Sequence, residues 1–373
     1  VAAGDEVPGK TGFAHLFEHM LFQGSKNVGS DRHFEVLKGI GVSNVNGTTN
    51  NDRTNYFETV PSNQLETALW LESDRMGYLL PLLTKKSLDN QIEVVRNERR
   101  QSYDNRPYGK SRLKLFATLY PAEHPYHGSV IGKHEDLANA TLEDVISFYK
   151  KWYVPANATL VIAGDFENAE VKKLVNKWFG SFPKTQKPVR TIVPAPIITQ
   201  TRVTVEDKLA KMPSITYAWH TPAFFHKGDG EMDILASALG ARGTGRLYKI
   251  LVHEKQLAQQ VAAYQYSMNF SSAFIVSVIA KPGADLAEIE KIINQEVELV
   301  RTKNISVREF KRSLTGTESS FIWGLEGLMA RAELLQRYNH YVGKPDYITE
   351  DMNRYRNTSP DIIRDFANKF LGA

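Results

Sequence analysis

The stretch GFAHLFEHMLFQGS, residues 12–25, constrains this chain more than any other. Phe13, Ala14, Leu16, Phe17, Met20, Leu21 and Phe22 make a helix that is apolar on nearly all sides, and such a helix is buried. It nonetheless carries His15, Glu18 and His19. Positions i and i+4 lie about 40° apart around a helix axis, so the two imidazoles project from one face, a turn apart, with the carboxylate beside them. An unpaired charge in such surroundings costs roughly several kcal/mol, so these groups must be paired or must hold a metal. A lone histidine here would read as a core residue bonded to a carbonyl. His, Glu and His together at i, i+3 and i+4 read as a metal site.

The chain has no cysteine, which excludes disulfides and thiolate sites and leaves His, Asp and Glu as ligands. Zinc in a catalytic site takes three protein ligands and keeps a fourth position open. In KKSLDNQIEVVRNERRQSYDN, Leu88, Ile92 and Val95 form a helical stripe, and Glu98 lies one turn beyond Val95. Its carboxylate is expected along the apolar flank, with Glu93, Arg99 and Arg100 facing solvent. Glu98 is therefore the expected third ligand. The competing reading is a surface glutamate paired with arginine.

With 373 residues the chain is too long for one ordinary core and suits two domains. Its 42% hydrophobic and 24% charged residues are those of a soluble globular protein. The net charge of +4 is not gathered into a basic run, which argues against a nucleic-acid stripe. No apolar stretch reaches the ~18 residues needed to span a bilayer, and residues 1–12 have no signal-peptide character, so any presequence is expected to have been removed. Lack of cysteine suits a reducing or an oxidising compartment equally.

Prolines and basic residues in PKTQKPVRTIVPAPI break the periodic patterns and mark a linker, assigned to 186–198 between domains 1–185 and 199–373. In the first half FEVLKGIG reads as a helix, VSNVNGTTNNDRTNYFETVP as a hairpin and SNQLETALWLESDRMGYLL as a capped helix; ATLEDVISFYKKWYVPANATLVIAGDF reads as a helix, a proline stop and a buried strand. After the linker the order returns: GRLYKILVHEK helical, QQVAAYQYSMNFSSAFIVSVIAKP a strand pair, GADLAEIEKIINQEVELVRTK a long amphipathic helix. Pro61 and Pro282 precede the matching helices. The expected fold is α+β, with two similar α/β-sandwich domains, mostly antiparallel sheet packed by helices, related by internal duplication.

HLFEH followed by VVRNERRQ resembles the inverted zinc-peptidase pattern H-x-x-E-H with its distal glutamate, as in the pitrilysin/insulinase family. In that family the distal glutamate lies seventy-odd residues downstream in a V-x-x-E setting, where Glu98 stands here. The resemblance extends over NGTTNNDRTNYFETVP, HPYHGSVIG and YVPANATLVIAGDF. It is closest to bacterial two-domain members related to the mitochondrial processing peptidase. It implies a zinc metalloendopeptidase whose two domains are half of a four-domain clamshell, with His15, His19 and Glu98 on one Zn2+ per chain. Glu18 would be the general base that takes a proton from the attacking water and passes it to the leaving amine. Asn46, Gly47 and Thr48 would offer a strand edge to the peptide; hairpin turn chemistry is the other reading of this Asn and Gly. Gln91 stands where the family usually carries a glutamate that orients the metal shell, and an amide adds no charge there. Family members also have strands ahead of the segment that starts here at VAAGDE, so a trimmed chain is expected.

The second-half helix MDILASAL stands where the first half has HLFEHM and offers no imidazole. In the family the half opposite the zinc supplies an Arg and a Tyr that hold substrate; Val252 and Gln259 occupy those places here and supply neither a cationic donor nor a phenol. The resemblance thus implies a heterodimer with a homologous subunit that lacks the zinc motif and carries the Arg/Tyr pair, a homodimer being the alternative. A bacterial periplasmic location comes only from the kind of relative resembled, with the cytoplasm as the other choice. A non-catalytic processing or scaffold subunit of the same fold is the competing function. GARGTG resembles a nucleotide-binding glycine loop but follows a helix and lacks the G-x-G-x-x-G spacing, and no G-x-S-x-G is present. His124, His127 and His134 have spacings that suit structural histidines.

Overall fold

The computed structural model describes residues 1–190, 193 and 199–372. The chain divides into two compact units, Val1–Ile192 and Val193–Ala373, each built of antiparallel strands packed by helices. Most of the sequence-assigned linker 186–198, namely 191–192 and 194–198, lies outside the described residues.

The first unit begins with α1 (Phe13–Met20) and α2 (His33–Gly39), followed by a hairpin of β1 (Asn44–Thr49) and β2 (Thr54–Thr59). Then come α3 (Leu65–Gly77), α4 (Lys85–Arg99), α5 (Gly109–Leu119), α6 (His134–Ala138), α7 (Leu142–Trp152) and α8 (Asn168–Phe179). The apolar character of α1 finds its partners in one cluster: Phe13, Leu16, Phe17 and Met20 pack with Leu88, Ile92 and Val95 of α4 and with Val145 and Tyr149 of α7. Each such side chain contributes about 1.5–3 kcal/mol when fully buried. The Leu88-Ile92-Val95 stripe is therefore what lays α4 along α1. Thr84 and Ser87 close a capping box at the start of α4, and Thr141 and Asp144 do the same for α7.

The start of α1 is fixed from both sides. Gly12 sits at φ +89, and a Cβ there would lie 2.8 Å from Gly132 Cα, so only glycine permits both the left-handed turn and the close approach. Glu6 accepts the amides of Gly12 (2.9 Å) and Ala14 (2.7 Å), satisfying donors that the first helical turn leaves open. Burial pushes the Glu6 carboxyl up to about 8 in spite of those bonds. Across the hairpin, the buried Arg75 of α3 pairs with Glu72 and, at 3.8 Å, with Glu58 of β2, and its guanidinium lies 4.4 Å from the Tyr56 ring centroid. The hairpin is thereby tied to α3 chiefly by the cation–π contact and by packing, since burial and the neighbouring Glu72 push the Glu58 carboxyl up to about 9.

One expectation fails in this unit. The segment 158–164, read as a buried strand, carries no assigned strand among the described residues, and Leu160 is exposed.

The second unit carries β3 (Ser214–Thr221), α9 (Asp229–Gly240), α10 (Arg246–Tyr248) continued by a π-turn to Glu254, β4 (Ala258–Tyr266) and β5 (Ser272–Ala280). It ends in α11 (Leu286–Thr302), α12 (Val307–Gly324), α13 (Leu328–Val342), α14 (Ile348–Arg356) and α15 (Pro360–Phe370). The strands run antiparallel in the order β3-β5-β4, with Val276 opposite both Tyr217 and Ala263. Ile289, Ile292, Ile293, Val297 and Val300 of α11 share a core with Ile234 and Leu235 of α9 and with Val276 and Val278 of β5. Helix, hairpin, proline and helix recur in both units, as the duplication predicts. GARGTG lies between α9 and α10 rather than after a strand.

Candidate metal centre

Burial of α1 against α4 brings three side chains together. His15 Nε2 and His19 Nε2 stand 3.3 Å apart on one face of α1. Glu98, in the last turn of α4, places Oε2 3.6 Å from His15 Nε2 and 3.3 Å from His19 Nε2. A tetrahedral zinc with bonds of about 2.0–2.2 Å has ligand-to-ligand edges of about 3.3–3.6 Å. The three separations match those edges, so these residues fit such an ion. The two imidazole planes are nearly perpendicular, at 87°.

The electrostatics agree with that geometry. Burial, and next the neighbouring His19, hold the His15 pKa down to about 4 against the pull of Glu98, so the ring is neutral with a lone pair available. The hydrogen bond with His19 keeps the Glu98 carboxyl below its usual range despite partial burial. One carboxylate and two imidazole nitrogens make a donor set suited to a divalent cation of intermediate softness. His15 Nδ1 is buried without a hydrogen-bond partner among the described residues. Gln91 is buried two turns before Glu98 on the same helix.

Glu18 stands apart from this trio. Its Oε2 accepts a hydrogen bond from Thr49 Oγ1 at 2.6 Å, and burial raises its pKa even though that bond and His19 oppose the shift. It is thus fixed beside the trio by β1. Gly47, two residues before Thr49 on the same face of the strand, leaves the room that Glu18 uses: a Cβ there would lie 2.9 Å from Glu18 Cγ and 3.0 Å from Phe22 Cε2.

The hairpin sets which edge of β1 is open. The Asn50 amide donates to the Arg53 carbonyl at 2.9 Å, and alternation along the ladder then turns the backbone groups of Thr48 and Asn46 toward β2 and those of Gly47 and Thr49 outward. No second strand flanks β1 among the described residues. Asn46 Oδ1 accepts the outward Gly47 amide at 2.9 Å. Asn46, Gly47 and Thr48 therefore lie on a strand beside the histidines with one edge unpaired.

Sequence reasoning passed over Thr49 and Arg53. Thr49 was accessible in principle, because period 2 puts it on the face of Gly47. The remaining histidines named above are held elsewhere: Tyr126 donates its amide to His124 Nδ1 (3.0 Å), His127 Nδ1 meets the Tyr120 carbonyl (2.8 Å) and His134 Nε2 meets Asp104 (2.9 Å).

Comparison with known proteins defines the class. The family described as Insulinase (Peptidase family M16) matches residues 4–124, and its companion, described as Peptidase M16 inactive domain, matches residues 139–316. The chain belongs to this insulinase, or pitrilysin, family of zinc peptidases. It is 29% identical over 357 residues to the zinc protease PqqE of Helicobacter pylori, covering 93% of this chain and 79% of that one. It is 21% identical over 367 residues to the uncharacterized zinc protease YmxG of Bacillus subtilis, covering 98% and 87%. Among solved structures, a protease from Helicobacter pylori superimposes with a TM-score of 0.89 at 27% identity, covering 100% of this chain and 90% of the other.

Proposed function

We propose that this chain is a zinc-dependent endopeptidase in which His15, His19 and Glu98 hold one Zn2+ and Glu18 acts as general base. The carrying observation is that three ligand atoms converge at tetrahedral spacing while Glu18, between the two histidines in sequence, is held off by Thr49. Zinc, when bound, supplies Lewis acidity toward water and toward a peptide carbonyl. Glu18 is placed to take the proton of the attacking water and to return it to the departing amine, and its raised pKa suits both halves of that transfer. The outward amides and carbonyls of Gly47 and Thr49 would pair with a peptide laid along β1 as an added strand, with the Asn46 side chain giving up the Gly47 amide to it. Such pairing reads backbone, so extended peptides and unfolded segments are the substrates.

The test is removal and return of the metal. Peptide hydrolysis should vanish with a chelator and return with zinc; hydrolysis indifferent to the chelator would contradict the assignment.

The room at Gly47 gives a sharper expectation. In Gly47→Ala the new methyl displaces Glu18 or Phe22, and a misplacement of about 1 Å costs about 10²-fold in rate. Zinc content should stay at one per chain, because no ligand is touched. A rate close to the parent's would show that Glu18 need not occupy this place.

Two domains with Val252 and Gln259 in the second fit one half of a chamber, the other half coming from a homologous subunit that lacks H-x-x-E-H and carries an Arg/Tyr pair. Hydrolysis by the purified chain should therefore be low and should rise when that subunit is added. Full activity from the chain alone, as monomer or homodimer, contradicts the heterodimer.

A further inference from the structure

The turn of the β1-β2 hairpin holds a cation, Arg53, that makes no ion pair among the described residues and acts on Glu18 only through space. Arg53 Nη1 donates to the Thr48 carbonyl at 3.2 Å, to Asn55 Oδ1 at 2.8 Å and to the Thr48 hydroxyl. All three bonds leave from one nitrogen. The opposite edge of the guanidinium, Nε and Nη2, bonds to nothing among the described residues, and no described carboxylate lies in ion-pair range. Other arginines of this unit that are shielded from solvent have anions: Arg75 has Glu72, Arg99 has Asp104 and Arg190 has Asp5. Arg53 is half-buried and bonds only to neutral oxygens among the described residues, its charge reaching Glu18 through space without an ion pair. A guanidinium fixed along one edge and vacant along the other presents the two-pronged donor that a carboxylate fits.

Its position follows from the period of the strand. Gly47 and Thr49 face Glu18, so Asn46 and Thr48 lie on the other face of β1, together with Asn55, which stands opposite Thr48. Arg53 is clamped to that second face. A peptide added along the open edge of β1, about 4.8 Å away, alternates in the same way. Every second side chain of it then lies on the Arg53 side, adjoining the residue that faces Glu18.

We infer that Arg53 is a specificity-determining residue that receives an acidic side chain of the bound peptide, so that this chain favours Asp or Glu beside the residue presented to Glu18. The inference deepens the peptidase reading and rests on it. A charge-assisted pair at a partly shielded site corresponds to about a tenfold preference, and a lysine in the same place meets repulsion instead.

The experiment uses the zinc-loaded protein, alone and with any homologous subunit found to raise its rate, and peptides that differ only in carrying Glu, Gln or Lys at each position around the cleaved bond. At one position kcat/KM should favour Glu over Gln by about tenfold, chiefly through KM, and disfavour Lys. Arg53→Gln should bring the Glu/Gln ratio to about 1, and Arg53→Glu should invert it in favour of Lys. Amidation of the peptide C-terminus should leave the preference in place; its loss would assign the carboxylate to the terminus and overturn the side-chain assignment. Equal kcat/KM for the three peptides overturns the inference, as does a uniform loss for all three in Arg53→Gln, which would make Arg53 a clamp of the turn. Absence of cleavage of every peptide would instead overturn the peptidase reading beneath it.

Discussion

Glu18→Gln should lower peptide hydrolysis by about 10²–10⁴-fold while leaving one zinc bound per chain. The amide keeps the size of the carboxyl and can still meet the Thr49 hydroxyl that holds Glu18 at 2.6 Å, so the fold around β1 is retained. What it loses is the proton acceptor. In the parent chain the acid limb of the rate should lie above the ordinary carboxylate range, because burial raises the Glu18 pKa and the deprotonated form is the active one. Activity therefore rises with pH through that raised value, and the limb should disappear with the carboxylate in the variant's residual rate. Metal analysis of the purified variant decides the role: if zinc falls along with the rate, Glu18 is a ligand and not the base.

Glu98→Gln should behave in the opposite manner, with zinc and activity lost together. Glu98 provides the single negative charge of the trio, and its carboxylate stands 3.3 Å from His19 Nε2 and 3.6 Å from His15 Nε2. An amide oxygen is a weaker ligand for zinc and leaves the ion held by two neutral imidazoles alone. Changes around such sites cost about 10–100-fold in metal affinity even when no ligand is removed, so loss of this ligand should exceed that range. Activity should return only at high added zinc. A variant that binds zinc as tightly as the parent would remove Glu98 from the metal shell and leave it as the arginine-paired surface residue of the competing reading.

The placement of Glu98 beside His15 and His19 was legible in the sequence because both glutamates belong to helices whose period is visible. Glu18 falls between His15 and His19 on an apolar helix, and Leu88, Ile92 and Val95 point Glu98 along the same flank that packs on α1. The hairpin, the matching prolines and the repeated order of elements could be read for the same reason: each is a local pattern. Thr49 and Arg53 were not read, since their importance arises from how the hairpin lies against α1, and no local spacing encodes that placement. No local spacing singles out Arg75, around which the fold sets Glu58, Tyr56 and Phe22. The run at 158–164 failed in the other direction. Its apolar pattern suits a strand, but no strand is assigned there among the described residues.

The most direct measurement is diffraction from zinc-loaded crystals of this chain at the zinc absorption edge. The account predicts one anomalous peak per chain, within about 2.0–2.2 Å of His15 Nε2, His19 Nε2 and a Glu98 oxygen, with Glu18 outside bonding distance and the fourth position open. A peak coordinated by Glu18 in place of Glu98, or zinc bound only away from α1, would contradict it.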